Sequence, residues 1–98
     1  MIVDWQKVDI KKLAAIISNH LKKNGIEVVL VGGACVSLYS KNKYVSYDID
    51  LITDSPIKII IPLLEQLGFK NTGSRLFENP QRRRGDLRCE FHLREGYQ

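Results

Sequence analysis

The chain has 98 residues, of which 44% are hydrophobic and 27% are charged, and these proportions are typical of a globular protein rather than a disordered one. The length predicts one domain over 1–98, and the longest apolar runs are far too short to cross a bilayer, so we expect no membrane-spanning segment. The net charge of +4 fits anionic partners such as nucleotides or RNA, but the excess is modest and favours an ordinary soluble surface.

The first predicted elements are a helix and a strand. Asp9 is a suitable N-cap, and apolar residues recur at helical spacing after it. Because Asn24-Gly25 is a good stop signal, we predict a helix over 10–24. The segment from Glu27 to Val31 is short, rich in valine and bounded by glycines, which predicts a buried strand.

A glycine pair and an acidic strand follow. Gly32-Gly33 turns the chain, and residues 34–39 are predicted to form a short helix. Residues 40–43 are polar and predict a loop. Residues 47–53 are apolar apart from two aspartates and predict a second strand.

A proline-containing helix comes next. Ser55-Pro56 is typical of an N-cap followed by proline at the first helical position. The helix is predicted to reach about Leu67, where Gly68 ends it. Pro62 lies inside it, so the helix must kink there or start late.

Two further strands are predicted over 69–78 and 86–94, joined by the turn-rich basic loop NPQRRRG. The resulting order is α-β-α-β-α-β-β. This order predicts an α/β (α+β) fold in which helices pack on a mixed sheet of about four strands.

The two aspartates of the second strand, Asp48 and Asp50, project from the same face because strand side chains alternate. Ile49 and Leu51 then point into the core. Two carboxylates so close repel each other unless a cation lies between them or water screens them. Oxygen ligands of this kind suit Mg²⁺ or Mn²⁺. The alternative is a strand with a solvated polar face.

The last strand offers a third carboxylate. Its alternation predicts a buried face of Leu87, Cys89, Phe91 and Leu93, and an opposite face of Arg88, Glu90 and His92. If this strand pairs beside the acidic strand, Glu90 can join Asp48 and Asp50. The alternative for Glu90 is a salt bridge with Arg88 or Arg94.

The glycine pair predicts an anion site. A strand that ends in Gly32-Gly33 and opens a helix would expose backbone N–H groups at a positive helix end. Phosphates could approach closely because glycine has no Cβ. A plain turn is the alternative.

Several other residues are candidates for lesser roles. Lys43 precedes the acidic strand and could neutralise a phosphate; Ser46 is expected to hydrogen-bond locally, with direct substrate contact as the alternative. Arg82, Arg83 and Arg84 could grip RNA or a triphosphate, but no aromatic residues interleave with them, which favours a solvated hairpin tip. Cys35 and Cys89 lack metal-site spacing and favour a reduced, cytoplasmic protein with both as small core residues.

The sequence resembles the nucleotidyltransferase superfamily of the polymerase-beta type in having Gly-Gly, a predicted short helix, Asp-x-Asp in a strand and a later strand carboxylate. More narrowly, the stretch VGGACVSLYSKNKYVSYDIDL is similar to the branch near the abortive-infection nucleotidyltransferases. Three later pieces are similar as well: Leu67-Gly68-Phe69, Arg75-Leu76-Phe77 and Cys89-Glu90-Phe91. The resemblance covers roughly 28–93.

The resemblance implies a minimal nucleotidyltransferase fold and a set of roles. Gly32 and Gly33 would hold the triphosphate of an NTP, Asp48 and Asp50 would bind Mg²⁺ or Mn²⁺, and Glu90 would be the third metal ligand and a base. The reaction would transfer a nucleoside monophosphate to an acceptor hydroxyl of RNA, perhaps of tRNA, or of a protein.

The resemblance also bears on partners. Some relatives are toxins, and minimal members pair with a HEPN-type partner within toxin-antitoxin systems. Many relatives carry a further C-terminal helical region that completes the substrate cleft, so we expect the cleft here to be open, missing, or built by a partner or a second copy. The alternative function is a catalytically inactive domain that binds a nucleotide or a protein.

Overall fold

A computed structural model describes residues 3–31, 35–39 and 44–94. Within them a short 3₁₀ helix over Trp5–Lys7 precedes two α-helices, α1 (Ile10–Lys23) and α2 (Ile57–Gln66). Six strands make up the rest of the described secondary structure: β1 (Val28–Leu30), β2 (Cys35–Tyr39), β3 (Tyr44–Thr53), β4 (Lys70–Asn71), β5 (Leu76–Glu78) and β6 (Leu87–Leu93). None of the described helices is long and apolar enough to span a membrane.

The six strands form one mixed sheet with β3 at its centre. β6 runs parallel to β3 along one edge, while β1 and β2 both pair antiparallel with β3. β5 and then β4 extend the sheet beyond β6 in antiparallel pairs. The predicted mixed sheet with packed helices is therefore confirmed, and it has more strands than the four expected.

The two helices and the core lie on one face of the sheet. Alternate residues of the central strands are buried on this face, among them Ile49, Leu51 and Phe91. α1 contributes buried leucine and isoleucine side chains at helical spacing, and α2 contributes Ile60 and Leu64 to the same cluster. The opposite face of β3 and β6 carries the polar residues of the predicted site and is partly exposed.

The first helix forms where the sequence predicts it. The Asp9 carboxylate accepts a hydrogen bond from the Lys12 amide (2.8 Å), which satisfies one of the free N–H groups of the first turn. Lysines occupy its last turn, where they complement the helix dipole. Gly25 follows with a positive φ of 79°, as expected for a helix stop.

The predicted start of the second long helix is slightly wrong. Pro56 is the N-cap residue rather than the first helical residue, and no side chain caps this end of α2. The helix continues through Pro62, whose side chain is exposed, because Ile60 and Leu64 on the other side are fully buried. Gly68 ends the element with a φ of 94°.

The short helix predicted over 34–39 is wrong, because Cys35–Tyr39 forms strand β2. β2 pairs with β3 from Cys35 opposite Asp48 to Tyr39 opposite Tyr44. A segment this short gains little as a helix, whereas the open edge of β3 offers it a full ladder of backbone hydrogen bonds. The helix N-terminus proposed as an anion site is therefore not there.

Two strand boundaries also differ from prediction. The acidic strand begins at Tyr44 rather than Tyr47, since pairing with β2 extends it. The single strand predicted over 69–78 is wrong, because β4 and β5 form a hairpin in that range. In this hairpin, Asn71 donates side-chain hydrogen bonds to the carbonyls of Gly73 (2.6 Å) and Leu76 (3.0 Å), which stabilises the turn.

Candidate functional site

Parallel pairing of β3 and β6 positions the acidic residues. Asp50 lies opposite Glu90 in the register, and Asp48 lies opposite Arg88. Because side chains alternate along each strand, all four project from the face that the helices leave open. The strand that carries Glu90 therefore lies beside the strand that carries the two aspartates, as their grouping requires.

Among the described residues, Asp50, Glu90 and His92 form a group of potential metal ligands on this face. One ligand atom from each lies within 4.8 Å of the others. The Asp50 Oδ1 atom is 3.1 Å from His92 Nε2. The Asp50 side chain is 43% exposed, so a substrate or an ion can reach it from solvent. His92 was assigned no definite role from the sequence, although its alternation with Glu90 places it on this face.

Asp48 is held differently, in an ion pair with Arg88. The Arg88 guanidinium donates from Nε to Asp48 Oδ1 (2.7 Å) and from Nη2 to Asp48 Oδ2 (3.4 Å). This hydrogen bond raises the pKa of Arg88 against the opposing effect of its partial burial. The ion pair predicted as an alternative for Glu90 is thus made by Asp48, while Arg94 pairs with Asp54 (3.0 Å).

Two more carboxylates lie near Arg88. Asp86 Oδ2 is 4.0 Å from Arg88 Nη2, and Glu78 on β5 lies opposite Arg88 in the register. Partial burial raises the pKa of Glu78, and repulsion from Asp86 raises it further. Sequence reasoning missed both residues. The period of two along a strand could have found them, because it puts Glu78 on the same face as Leu76, and Asp86 on the same face as Arg88.

A shallow pocket of about 340 Å³ lies over the paired parts of β3 and β6. Its lining includes Asp48, Asp50, Arg88 and Glu90, with Leu76 from β5. A larger cavity of about 470 Å³ lies between the Trp5 segment and the end of α2. That larger cavity has none of the predicted site residues, so the smaller pocket is the better candidate.

The remaining predicted substrate contacts differ in how the structure places them. Ser46 is fully buried and its hydroxyl accepts a hydrogen bond from the amide of Asp86 (2.9 Å), a residue that is distant from it in sequence. In this conformation Ser46 is not presented to a substrate. Gly32, Gly33 and Lys43 lie outside the described residues.

The arginine run is only partly the solvated tip that its sequence predicted. Arg83 and Arg84 are exposed. Arg82, however, donates to the carbonyl oxygens of Trp5 (3.2 Å) and Val8 (2.7 Å), and its guanidinium lies 5.0 Å from the centre of the Tyr47 ring. Arg82 therefore ties the N-terminal segment to the loop before β6.

Cys89 is a core residue, as predicted. It is buried among the apolar residues of β6, and burial raises the pKa of its thiol well above the usual range. A thiolate nucleophile at this position is therefore disfavoured. The side chain of Cys35 lies outside the described part of the chain.

The donor set fits a divalent cation. Carboxylate oxygens are the preferred ligands of Mg²⁺ and Mn²⁺, and an imidazole nitrogen is accepted by the transition metals more readily than by Mg²⁺. Asp50 and Glu90 supply the oxygens and His92 supplies a nitrogen at the same spot. Asp48 lies next to this group on β3, but its two oxygens face Arg88.

Comparison with known proteins gives one finding about the family. Residues 9–71, which are more than half of the chain, match the family model described as "Nucleotidyl transferase of unknown function (DUF2204)". The matched range contains Asp48 and Asp50 and ends before Glu90 and His92. Neither the curated proteins nor the solved structures give a match. On the evidence of that model, the chain belongs to this nucleotidyl transferase family, whose function is unknown.

Proposed function

We propose that this chain is a metal-dependent nucleotidyltransferase that transfers a nucleoside monophosphate from an NTP to an acceptor hydroxyl. The observation that carries the proposal is the placement of Asp50 beside Glu90, on neighbouring parallel strands of the open sheet face. Membership of a nucleotidyl transferase family supports the reaction class. The fixed spacing of a sheet suits such a site because phosphoryl-transfer catalysis consists largely of positioning and charge stabilisation.

Asp48, Asp50 and Glu90 are the proposed ligands of Mg²⁺ or Mn²⁺. The approach of ligand atoms from Asp50, Glu90 and His92 to within 4.8 Å of one another supports a cation at this spot, with His92 as an additional donor. When bound, a divalent cation would offset the negative charge of the triphosphate and of the leaving pyrophosphate.

The chain's own groups would then handle the acceptor. Glu90 is exposed, and we assign it the role of the base that takes the proton from the acceptor hydroxyl. The hydroxyl oxygen forms a bond to the α-phosphorus as the bond to the bridging oxygen breaks. The electron pair of that bond leaves with pyrophosphate, so charge and atoms balance.

Gly32, Gly33 and Lys43 remain the proposed triphosphate contacts. Their support comes from their described neighbours: the Val31 amide donates to the Asp50 carbonyl (3.0 Å), and Cys35 pairs with Asp48. The residue just before the glycine pair therefore lies beside Asp50, and the strand that follows the pair begins beside Asp48. A role for Ser46 in binding substrate would require it to leave its buried contact with Asp86.

The acceptor is proposed to be RNA, such as tRNA, or a protein. The proposed setting is a toxin-antitoxin system with a protein partner or a second copy of the chain. The net charge of +4 suits an RNA acceptor.

A labelled-nucleotide assay tests the proposal. Each labelled NTP is incubated with the protein, Mg²⁺ or Mn²⁺, and either total tRNA or a cell lysate. We expect label transfer that falls by at least about 100-fold in Asp50→Asn, because removing one charge from such a site disrupts transition-state stabilisation. Asp54→Asn is the matched control, since Asp54 directly follows the strand that carries Asp50 and pairs with Arg94 outside the site.

The second candidate is a catalytically inactive nucleotide- or protein-binding module. The pairing of Asp48 with Arg88 favours it, because one of the three carboxylates is already neutralised. Nucleotide binding without transfer under every condition would support this candidate. Transfer that Asp50→Asn leaves undiminished would contradict the proposed site.

A further inference from the structure

We infer, resting on the proposed function, that Arg88 is a positioning residue that holds Asp48 in an ion pair until a divalent cation displaces it. Arg88 would act on the metal only through Asp48. Removing its guanidinium should therefore tighten metal binding rather than weaken it.

The geometry of the pair makes Arg88 a competitor for the metal. Its guanidinium engages both carboxylate oxygens of Asp48, at 2.7 Å and 3.4 Å. A cation that coordinates Asp48 must take over an oxygen lone pair that the guanidinium now uses, and it is also repelled by the positive charge. Both side chains are about one-third exposed (35% and 36%), so water can replace the broken hydrogen bonds at small cost.

A second resting place for the displaced guanidinium is already present. β6 lies between β3 and β5, so Arg88 has Asp48 as its register neighbour on one side and Glu78 on the other. Asp86 Oδ2 lies 4.0 Å from Arg88 Nη2. A modest rotation away from Asp48 would therefore keep Arg88 paired, this time with Asp86 and Glu78, neither of which belongs to the Asp50 group of potential ligands in the described chain. The sheet thus offers Arg88 two alternative partners.

The other arginine–aspartate pair between these strands provides a matched comparison. Arg94 Nε donates to both oxygens of Asp54, at 3.0 Å and 3.3 Å. The two residues directly follow the carboxyl ends of β6 and β3. Neither residue belongs to the metal-ligand group of the described chain. Removing Arg94 changes the net charge as much as removing Arg88 does, but it frees no proposed ligand.

Titration of Mn²⁺ into the nucleotide-free protein, followed by the electron paramagnetic resonance signal of free Mn²⁺, tests the inference. We expect Arg88→Gln to bind Mn²⁺ roughly fivefold more tightly than the wild type, the factor that an exposed ion pair of this kind contributes. Arg94→Gln should bind as the wild type does. Arg88→Lys keeps the charge but loses the two-pronged contact, and it should give an intermediate affinity.

A variant of Asp86 should act in the opposite direction. Asp86→Asn removes one of the two carboxylates that would receive the displaced guanidinium, so it should weaken Mn²⁺ binding in the presence of Arg88. The same change should have a smaller effect in an Arg88→Gln background, because no guanidinium is left to redirect. An equal effect in both backgrounds would contradict the two-partner arrangement.

Failure of this inference is distinguishable from failure of the proposed function. Equal Mn²⁺ affinities of Arg88→Gln, Arg94→Gln and the wild type would overturn the inference alone. No Mn²⁺ binding by either the wild type or Arg88→Gln would contradict both. If Arg88→Gln does not fold, the nuclear magnetic resonance signal of the Arg88 Nε–H in the wild type decides: it should shift as Mg²⁺ is added, and a signal unchanged at saturating Mg²⁺ would overturn the inference.

Discussion

Gly85 lies where the loop before β6 passes closest to the start of β3. The Val45 amide donates to the Arg84 carbonyl (2.9 Å) and the Tyr47 amide to the Asp86 carbonyl (2.8 Å). Gly85 therefore lies between two backbone hydrogen bonds that join this loop to β3. Its φ is 125°, and a Cβ added there would lie 1.7 Å from the Val45 carbonyl oxygen. Only glycine fits this position, and the contact sets the register of the strand that carries Glu90.

Substitution of this glycine should be severe. Gly85→Ala is expected to lower the free energy of unfolding by at least about 2 kcal/mol, because the positive φ and the clash with backbone add together. Chemical denaturation followed by circular dichroism measures it. Gly73→Ala is the control, since its added Cβ would make an ordinary 3.5 Å contact with Leu76. We expect its free energy of unfolding to change by less than about 1 kcal/mol. Equal losses in the two variants would contradict the close approach.

The residues of the candidate site were predictable from the sequence to the extent that alternation determines them. The period of two along a strand puts Asp48 with Asp50, and Glu90 with His92, on a common face. The contacts that each makes were not predictable. Arg88 binds Asp48 rather than Glu90 because register and side-chain rotamers are set by a partner strand about forty residues away in sequence.

At the scale of elements, the residues around the glycine pair form two edge strands rather than a strand and a helix. β1 ends beside Leu51 and β2 begins beside Asp48, so both complete the ladder along β3. Local propensity alone does not distinguish a helix from a strand in a five-residue segment such as β2. The unpaired edge of β3, a tertiary feature, decides between them.

α2 shows tertiary packing overriding a local penalty. Pro62 is in the helix interior, where it removes the hydrogen bond to the Lys58 carbonyl and crowds the preceding turn. The helix persists because Ile60 and Leu64 are both fully buried in the core. The sequence predicts the proline's cost correctly but not that burial outweighs it.

Removing this proline should therefore stabilise the protein. Pro62→Ala is expected to raise the free energy of unfolding by about 1–2 kcal/mol, since the recovered helical hydrogen bond exceeds the added freedom of the unfolded chain. Thermal and chemical unfolding measure it. Pro80→Ala, in an exposed turn, reports the unfolded-state effect by itself and should be neutral or slightly destabilising. A loss of stability in Pro62→Ala would show that the proline is needed for the shape of α2.

At the scale of the whole molecule, the described residues form two layers, and their helices leave one face of the sheet open. The helices and the apolar residues of β3, β5 and β6 make the core, while the opposite face holds the candidate ligands. The class of fold was predictable because helical and strand periodicities are clear in most of the sequence. The parallel pairing of β3 with β6 could not be predicted from the sequence, because strand order depends on long-range contacts that no local pattern encodes.

The most direct test of the central claim is the position of a metal ion in crystals of the protein grown with Mn²⁺ and a non-hydrolysable NTP analogue, found from its anomalous scattering. We expect an anomalous peak within coordination distance of the Asp50 and Glu90 carboxylates, on the face of the sheet opposite the helices. Mn²⁺ bound elsewhere with the nucleotide, and no metal in contact with either carboxylate, would contradict it.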